Sequence, residues 1–259
     1  MVLQKRRPLI FAHRGASAHA PENTLAAFEL AIQHKTDLIE LDAKLSADQR
    51  VVVIHDRTVD RTTDGTGRVA DLSYAAMRGL NASYRFRDQY PNEIIPTLEQ
   101  VFEVFGGKVG INIELTNYTT PFDKLADEVA RIIGNYQLQD QVFVSSFHPV
   151  PLRRFHDLCP EIPIGFLAKP GLPGYLSRGW LGRSIVPYTA LHLEKSDITA
   201  RVISAGQRFG HRIHTFTVND ASEMGYLISL GVDGIITDHP LLASQVIADN
   251  PSNLINNLQ

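Results

Sequence analysis

The stretch DLIELDAKLSADQRVVVIHD, residues 37–56, contains two apolar strand patterns separated by a polar turn. The link from Asp42 to Val51 is too short for the helical crossover that joins parallel neighbours. We therefore predict an antiparallel hairpin with its turn near residues 46–49. The hairpin returns His55 to the acidic residues of the first strand, and a parallel third strand would bring it to the same end of a barrel.

The first strand of this hairpin carries two acids on one face. Glu40 and Asp42 are two residues apart, so they point the same way while their apolar neighbours point the other way. In INIELT, residues 111–116, the same alternation places Glu114 opposite the apolar set. Three carboxylates directed into a barrel repel one another and need a cation or bound protons. Oxygen ligands favour Mg²⁺ or Ca²⁺; the alternatives are acids paired with Arg or Lys, or acids that are solvated.

Outward from this stretch, short apolar runs alternate with helical patterns. The apolar runs are residues 8–12, 37–42, 109–115, 141–145, 162–167, 185–188, 212–218 and 232–236. The helical patterns are residues 22–34, 97–105, 121–135, 149–158, 196–209, 220–230 and 239–248. Strand–helix alternation is typical of an α/β protein with a parallel sheet.

Eight such units predict a (β/α)8 TIM barrel, a single catalytic domain over residues 1–259. A doubly wound open sheet is the alternative, although no glycine-rich nucleotide loop follows the first strand. Between His55 and the helix at residue 97 the alternation is missing. We assign residues 57–96 as a small insertion between the early strands.

Composition narrows the function further. The chain has 259 residues, 44% hydrophobic and 20% charged, and its net charge of −3 argues against the broad basic surface that nucleic acid requires. Its single cysteine, Cys159, excludes an internal disulfide. The apolar run at residues 8–12 is too short for a secretory signal or a membrane span. We expect a cytoplasmic protein without stable membrane insertion.

Two histidines and an arginine lie at predicted strand ends, where barrel enzymes place their chemistry. His13 and Arg14 follow the first strand, and His55 ends the hairpin. Histidine exchanges protons near neutral pH, and an arginine fork matches two phosphate oxygens. Cleavage of a phosphodiester needs one group to deprotonate the nucleophile and another to protonate the leaving alkoxide. Zinc ligation by the histidines and acids is a competing use.

Further polar residues give weaker signals. PENT, which begins at Pro21, predicts a helix start with Glu22 or Asn23 near the cap. His148 and Asn219 end predicted strands and are candidates to line a pocket. In GVDGIITDHP, residues 231–240, we expect a last strand followed by Asp238 as the cap of the last helix.

In order along the chain, these motifs resemble the glycerophosphodiester phosphodiesterase family over most of residues 8–242. The motifs are AHRGASAHAPENTLAAF at 12–28, LIELDAKLSADQRVVVIHDRTVDRTTDGTG at 38–67, IPTLEQVF at 95–102, INIEL at 111–115, VSSFHP at 144–149, HTFTVN at 214–219 and GVDGIITDHP at 231–240. The resemblance implies a TIM barrel related to phosphatidylinositol-specific phospholipases C, with a small insertion domain.

The resemblance also implies roles for individual residues. It implies a divalent metal held by Glu40, Asp42 and Glu114. It makes His13 and His55 the acid–base pair, and it places Arg14 on the phosphate. It adds Glu22 and Asn23 of the ENT motif, together with Phe216, as substrate-binding residues.

The implied reaction is metal-dependent hydrolysis of a glycerophosphodiester to sn-glycerol 3-phosphate and an alcohol. The expected partner is this small-molecule substrate, with no nucleic acid; assembly as a homodimer is left open. One alternative is a lysophospholipase D, which would need an apolar entrance such as Tyr84, Phe86 and Tyr90. A second is a non-catalytic barrel that binds phosphodiesters.

Two positions depart from the family pattern. The family usually reads IELK where this chain has Thr116, and WTVN where this chain has Phe216. The missing lysine predicts weaker phosphate binding unless another basic residue substitutes for it. Thr116 also favours the non-catalytic alternative, against the intact set of histidines and acids.

Overall fold

Nine strands form one sheet in the computed structural model, which describes residues 8–83, 85–171 and 185–249. The basic start of the chain and Tyr84 lie outside these residues. The strands are β1 (Leu9–Ala12), β2 (Leu38–Leu45), β3 (Val51–Val53), β4 (Gly110–Leu115), β5 (Val142–Ser146), β6 (Ile164–Ala168), β7 (Ala190–Glu194), β8 (Arg212–Phe216) and β9 (Gly234–Thr237).

The sheet closes into a barrel of eight parallel strands. Its order is β1-β9-β8-β7-β6-β5-β4-β2, and β1 also pairs with β2, which completes the ring. The predicted (β/α)8 barrel is confirmed, and the open doubly wound sheet is excluded by the β1–β2 pairing. Because all eight strands run the same way, their carboxyl ends form one rim.

The ninth strand, β3, confirms the predicted hairpin. It runs antiparallel to the end of β2, with Ala43 opposite Val53 and Leu45 opposite Val51. The turn is closed by the Ser46 N–H, which donates to the Arg50 carbonyl oxygen at 3.0 Å. The hairpin projects from the barrel rim and turns the chain back toward it.

Helices surround the barrel between the strands. Their bounds are α1 (Leu25–Gln33), α2 (Tyr74–Arg78), α3 (Leu98–Phe105), α4 (Leu125–Tyr136), α5 (Pro149–Leu158), α6 (Ala200–Arg208), α7 (Ala221–Leu230) and α8 (Pro240–Asp249). Side-chain caps begin several of them: Thr24 accepts from the Ala27 N–H, and Thr97 with Gln100 forms a capping box. Among the described residues, no helix is long and apolar enough to cross a membrane.

The sixth barrel strand in chain order, β7, lies later than the sequence predicts. The apolar run at residues 185–188 predicts a strand, but β7 occupies Ala190–Glu194. Pro187 within that run has no N–H for a sheet hydrogen bond. The sequence of β7, ALHLE, carries a histidine and a glutamate, so it does not appear as an apolar run. The other seven predicted strands each overlap an observed strand.

The barrel interior is closed by aromatic rings and two neutral histidines. Nδ1 of His214 lies 3.2 Å from Nε2 of His192, and the His192 ring stacks on Phe143 with centroids 5.4 Å apart. Burial lowers the pKa of His192 to about 3. A Cβ added to Gly165 would lie 2.6 Å from His192 Nε2, so glycine is needed where this ring crosses the barrel. These groups give the site above them a packed floor.

The described part of residues 57–96 leaves the barrel after the hairpin and returns before α3. It has a small apolar core of its own, packed on the hairpin and formed by Val52, Ile54, Val59, Val69, Met77, Ala82 and Ile95. This separate core holds the segment beside the rim, over the side of the barrel where β2 ends.

Candidate active site

Three buried carboxylates meet near the carboxyl ends of two neighbouring strands. Glu40 and Asp42 lie on β2 and Glu114 on β4, and the parallel register pairs Asp42 with Glu114. One oxygen from each carboxylate lies within 4.8 Å of the others. The alternation seen in the sequence therefore does bring all three acids to one point inside the rim.

The electrostatics of this cluster fit a cation. Burial and the neighbouring carboxylates raise the pKa of Glu40 well above its ordinary value. Burial, with Asp42, raises the pKa of Glu114 to about 8. Removing carboxylates from water is costly unless a positive charge compensates. A divalent ion with a preference for oxygen ligands matches this donor set.

Neighbouring groups fix the orientation of each carboxylate. The Arg14 N–H donates to Glu40 Oε2 at 2.9 Å, and Asn23 Nδ2 donates to Asp42 Oδ2 at 2.9 Å. The hydroxyl of Tyr118 donates a short hydrogen bond to Glu114 Oε1. Each acid thus keeps an oxygen lone pair in a fixed direction, as metal ligands require.

The loop after β1 is shaped to bring Arg14 against the cluster. Arg14 has φ of +56° and Gly15 has φ of +83°. A Cβ on Gly15 would lie 2.6 Å from the Ala27 carbonyl carbon, so only glycine fits between this loop and α1. The turn sets Arg14 Nε 3.3 Å from Asp42 Oδ2, and its Nη1 2.9 Å from Glu22 Oε1.

His13 is held by an acid from the other end of the chain. Its Nδ1 lies 2.6 Å from Asp238 Oδ1, and Ser17 and Asn219 also donate to the Asp238 carboxylate. The predicted role of Asp238 as the cap of the last helix is therefore wrong. Helix α8 begins at Pro240, and the Asp238 carboxylate is instead hydrogen-bonded to these three side chains. These donors lower the pKa of Asp238, which stays ionised against burial.

His55 is held in a parallel way by its own neighbour. Its Nδ1 lies 2.7 Å from Asp56 Oδ1. Arg61 Nε donates to Asp56 Oδ2 at 2.6 Å, and Arg61 Nη1 donates to Glu22 Oε2 at 2.6 Å. This chain of ion pairs joins the second histidine to Glu22 and through it to Arg14.

A cavity of about 210 Å³ lies between the two histidines, Arg14 and the acidic cluster. It is lined by His13, Arg14, Glu40, His55, Asn112, Glu114, Phe147, Leu167, His192, Phe216, Thr217 and Ile236. The Phe147 and Phe216 rings meet edge to face at 5.7 Å. The cavity therefore offers both charged groups and aromatic rings to a ligand.

Of the weaker candidates, only some come near this cavity. Asn219 contributes through Asp238. His148 instead caps α5, where its Nδ1 accepts from the Val150 N–H at 3.2 Å. Phe86, one side chain of the predicted apolar entrance, lines a different cavity beside Glu22, and it packs edge to face on Tyr90. Tyr84, the third, lies outside the described residues.

Comparison with known proteins agrees with this geometry. A model of the glycerophosphoryl diester phosphodiesterase family matches residues 13–242. The chain belongs to the glycerophosphodiester phosphodiesterase family. Glycerophosphodiester phosphodiesterases from Bacillus altitudinis and Caldanaerobacter subterraneus are 36% and 35% identical over 89% and 90% of this chain, and over 94% and 95% of their own.

Solved structures of the phosphodiesterase family show the same fold. A phosphodiesterase from Oleispira antarctica, in complex with the product sn-glycerol-3-phosphate, is 30% identical and superposes with a TM-score of 0.85. The match covers 94% of this chain and 98% of that one. The likeness therefore extends over the whole barrel, well beyond the motifs near β1 and β2.

Several site residues escape sequence reasoning. Asp56, Arg61, Tyr118 and Asp238 each touch a proposed functional group. The contacts of Asp238 with His13 and of Arg61 with Glu22 are set by packing across the rim. Asp56 and Tyr118 instead contact residues near them in the chain, and Asp56, which directly follows His55, is the most accessible to prediction.

Proposed function

We propose that this chain hydrolyses glycerophosphodiesters to sn-glycerol 3-phosphate and an alcohol in a reaction that depends on a divalent metal. The proposal rests on one arrangement: two carboxylate-held histidines and an arginine line a single cavity together with two acids of a buried triad. Membership of the family supports the reaction class. The Oleispira relative, whose structure contains sn-glycerol-3-phosphate, supports the identity of the product.

Glu40, Asp42 and Glu114 would hold the metal, and we propose Mg²⁺ or Ca²⁺ because the ligands are all oxygen. Such an ion supplies Lewis acidity to a phosphoryl oxygen and neutralises charge that develops in the transition state. Two of these acids carry raised pKa values, so the deprotonated triad forms most readily together with the ion.

Arg14 would bind the phosphate. Its Nε lies beside Asp42 and its Nη1 is held by Glu22, so the guanidinium is fixed in direction before substrate arrives. A planar fork that is already oriented loses little side-chain entropy on binding an oxyanion.

His13 and His55 would transfer protons. Each uses Nδ1 for its aspartate, which leaves Nε2 as the nitrogen available to substrate. One histidine accepts the proton of the attacking hydroxyl, either of water or of the substrate glycerol; in the second case a cyclic phosphate forms, and water then opens it to sn-glycerol 3-phosphate. The other donates a proton to the departing alkoxide as the phosphorus–oxygen bond breaks.

Phe147 and Phe216 would contact the carbon atoms of the glycerol moiety. Their rings form an apolar part of the cavity lining. The family tryptophan is replaced here by Phe216, which keeps an aromatic face but gives up an N–H donor. We propose a small polar diester as substrate; phospholipid with one acyl chain is the alternative.

The test is a metal-dependent assay on a defined panel. Purified protein is freed of metal with a chelator and given glycerophosphocholine, glycerophosphoglycerol or lysophosphatidylcholine, with Mg²⁺ or Ca²⁺ added back. We expect release of sn-glycerol 3-phosphate from the first two after metal is restored. Full activity in excess chelator would refute the metal, and preference for the lysolipid would favour the lysophospholipase D alternative. Binding of the diesters without any turnover would favour the non-catalytic barrel.

A further inference from the structure

A second cavity, of about 240 Å³, lies beside the catalytic one, between the ends of β2 and β4 and the segment that follows the hairpin. Three cationic side chains line it: Lys44 from β2, with Arg57 and Arg68 from the segment after β3. We call it the basic groove. The proposed reaction assigns no function to it.

The basic groove continues the face of the barrel that carries the acids. Lys44 lies two residues beyond Asp42 on β2, and Thr116 two residues beyond Glu114. Successive residues on one face of a strand are about 6.6 Å apart. The groove therefore begins roughly one small alcohol's length from the carboxylates that would hold the metal.

Lys44 is buried and fixed by Thr116. Its Nζ donates to Thr116 Oγ1 at 2.7 Å and to the Thr116 carbonyl oxygen at 3.2 Å. An ammonium has three N–H donors, so one remains for a ligand. The Thr116 side chain, which replaces the family lysine, thus orients another lysine from the adjacent strand.

Little negative charge within the basic groove itself compensates its two arginines, whereas Lys44 also feels the carboxylates of Asp42, Glu114 and Asp56 from outside the groove. Asp123 is the one acid among its described lining residues, and its oxygens already accept from Asn117, Thr120 and the Leu125 N–H. Arg57 is exposed and has no carboxylate within ion-pair distance among the described residues.

Arg68 is also available to a ligand. Its Nε is 3.8 Å from Asp71, and both side chains are more than half exposed. An exposed pair at this separation contributes little and is easily exchanged for another anion. The groove therefore presents two guanidinium groups and a fixed ammonium to one open cleft.

We infer that the basic groove binds a second phosphate on the leaving alcohol, so that the preferred substrate is a glycerophosphodiester whose alcohol carries a phosphate monoester. This inference rests on the proposed function, because it places the scissile phosphate at Arg14. Two guanidinium groups and an ammonium match the charge and the oxygen geometry of a phosphate monoester. A cationic head group such as choline would be repelled.

A matched pair of substrates tests the inference: glycerophosphoglycerol, and the same diester phosphorylated on its leaving glycerol. We expect kcat/KM to be at least about tenfold higher for the phosphorylated diester, mainly through KM, and the ratio to fall as salt screens the charges. Arg57→Ala and Arg68→Ala should each reduce the ratio by about threefold to tenfold. The control is Arg78→Ala, an exposed arginine at the end of α2 outside the groove, which should leave the ratio unchanged.

Equal kcat/KM for the two diesters in the wild-type protein would overturn the inference. So would a loss in Arg57→Ala that is the same for both diesters, or an equal effect of Arg78→Ala. A calorimetric measurement of how tightly the His55→Ala protein binds each diester tests the groove separately from the proposed hydrolysis. If the preference in binding persists but the wild-type protein turns over neither diester, hydrolysis alone is refuted. If the protein binds glycerophosphoglycerol at least as tightly as its phosphorylated form, the groove alone is refuted.

Discussion

Nδ1 of His13 lies 2.6 Å from Oδ1 of Asp238, although the two residues are 225 positions apart in the chain. The contact exists because β1 pairs with β9, which brings the first and last strand ends of the barrel together. An acid on Nδ1 fixes the tautomer and the ring direction, and it stabilises the protonated imidazole during proton transfer. The orientation of the His13 ring thus depends on closure of the barrel.

Asp238→Asn tests this dependence. The amide is isosteric but cannot compensate a protonated His13, so we expect kcat to fall about 100-fold with only a small change in KM. Steady-state kinetics with glycerophosphoglycerol measures it. Asp157→Asn is the control, because Asp157 pairs with Arg153 on the exposed face of α5 and lies outside the catalytic cavity. Equal kinetics for the two variants would show that Asp238 has no role in proton transfer.

Tyr118→Phe should weaken the metal site without removing a ligand. The Tyr118 hydroxyl donates to Glu114, and losing a partner of this kind costs about 10- to 100-fold in metal affinity. Titration of Mg²⁺ or Ca²⁺ by calorimetry measures the change. Tyr226→Phe, on an exposed part of α7, is the matched control and should bind metal as the wild type does. An unchanged dissociation constant for Tyr118→Phe would contradict a metal on Glu114.

The stability of the metal-free protein should fall as pH rises through 8. The pKa of Glu114 is raised to about 8 by burial and Asp42, from an unfolded value of about 4.3. The folded state therefore binds the proton of the Glu114 carboxyl more tightly than the unfolded state does. The stability that this proton contributes is lost as pH rises toward the folded pKa. Buried His192 and His214 have lowered pKa values and give the opposite slope, but their contribution ends near pH 6.5, the ordinary histidine pKa.

Melting temperatures in chelator between pH 6.5 and 9 measure this effect. Wild-type Tm should decrease over that range, Glu114→Gln should show a flatter profile, and added metal should raise Tm most at the alkaline end. A wild-type Tm that is flat or rising, or an identical slope in Glu114→Gln, would contradict the assignment.

Gly15→Ala should destabilise the fold by about 2–4 kcal/mol. Its φ is +83°, and a Cβ would lie 2.6 Å from backbone atoms of Ala27 that cannot easily move. Chemical denaturation measures the loss. Gly225→Ala is the control: it lies within α7, its Cβ would meet nothing within 4 Å, and it should stabilise by about 0.5–1 kcal/mol. Equal stabilities would show that the β1 loop is not constrained as described.

The sequence predicts those parts of the site that follow from strand periodicity. Glu40 and Asp42 share a face by alternation, and the short link to Val51 requires the hairpin that returns His55. These inferences need only local geometry. The alternation of strands and helices likewise predicts the barrel, since seven of its eight strands are visible as apolar runs in their own residues.

The sequence does not predict those features of the site that depend on contacts across the barrel. β7 is hidden because His192 faces a ring-lined interior that tolerates a polar side chain, which an apolar-run criterion rejects. Asp238 reads as a helix cap because its partner, His13, is remote in sequence. From the sequence, Thr116 predicts that a cation is missing, although Lys44 on the adjacent strand places its ammonium beside Thr116. Each depends on strand register, which composition does not reveal.

The most direct measurement is the rate of sn-glycerol 3-phosphate release from glycerophosphoglycerol by metal-replete His13→Ala and His55→Ala proteins. Both should retain the wild-type circular dichroism spectrum and metal binding, while kcat falls at least about 100-fold in each. A folded variant of either histidine with near-wild-type kcat would contradict the acid–base pair at the centre of this account.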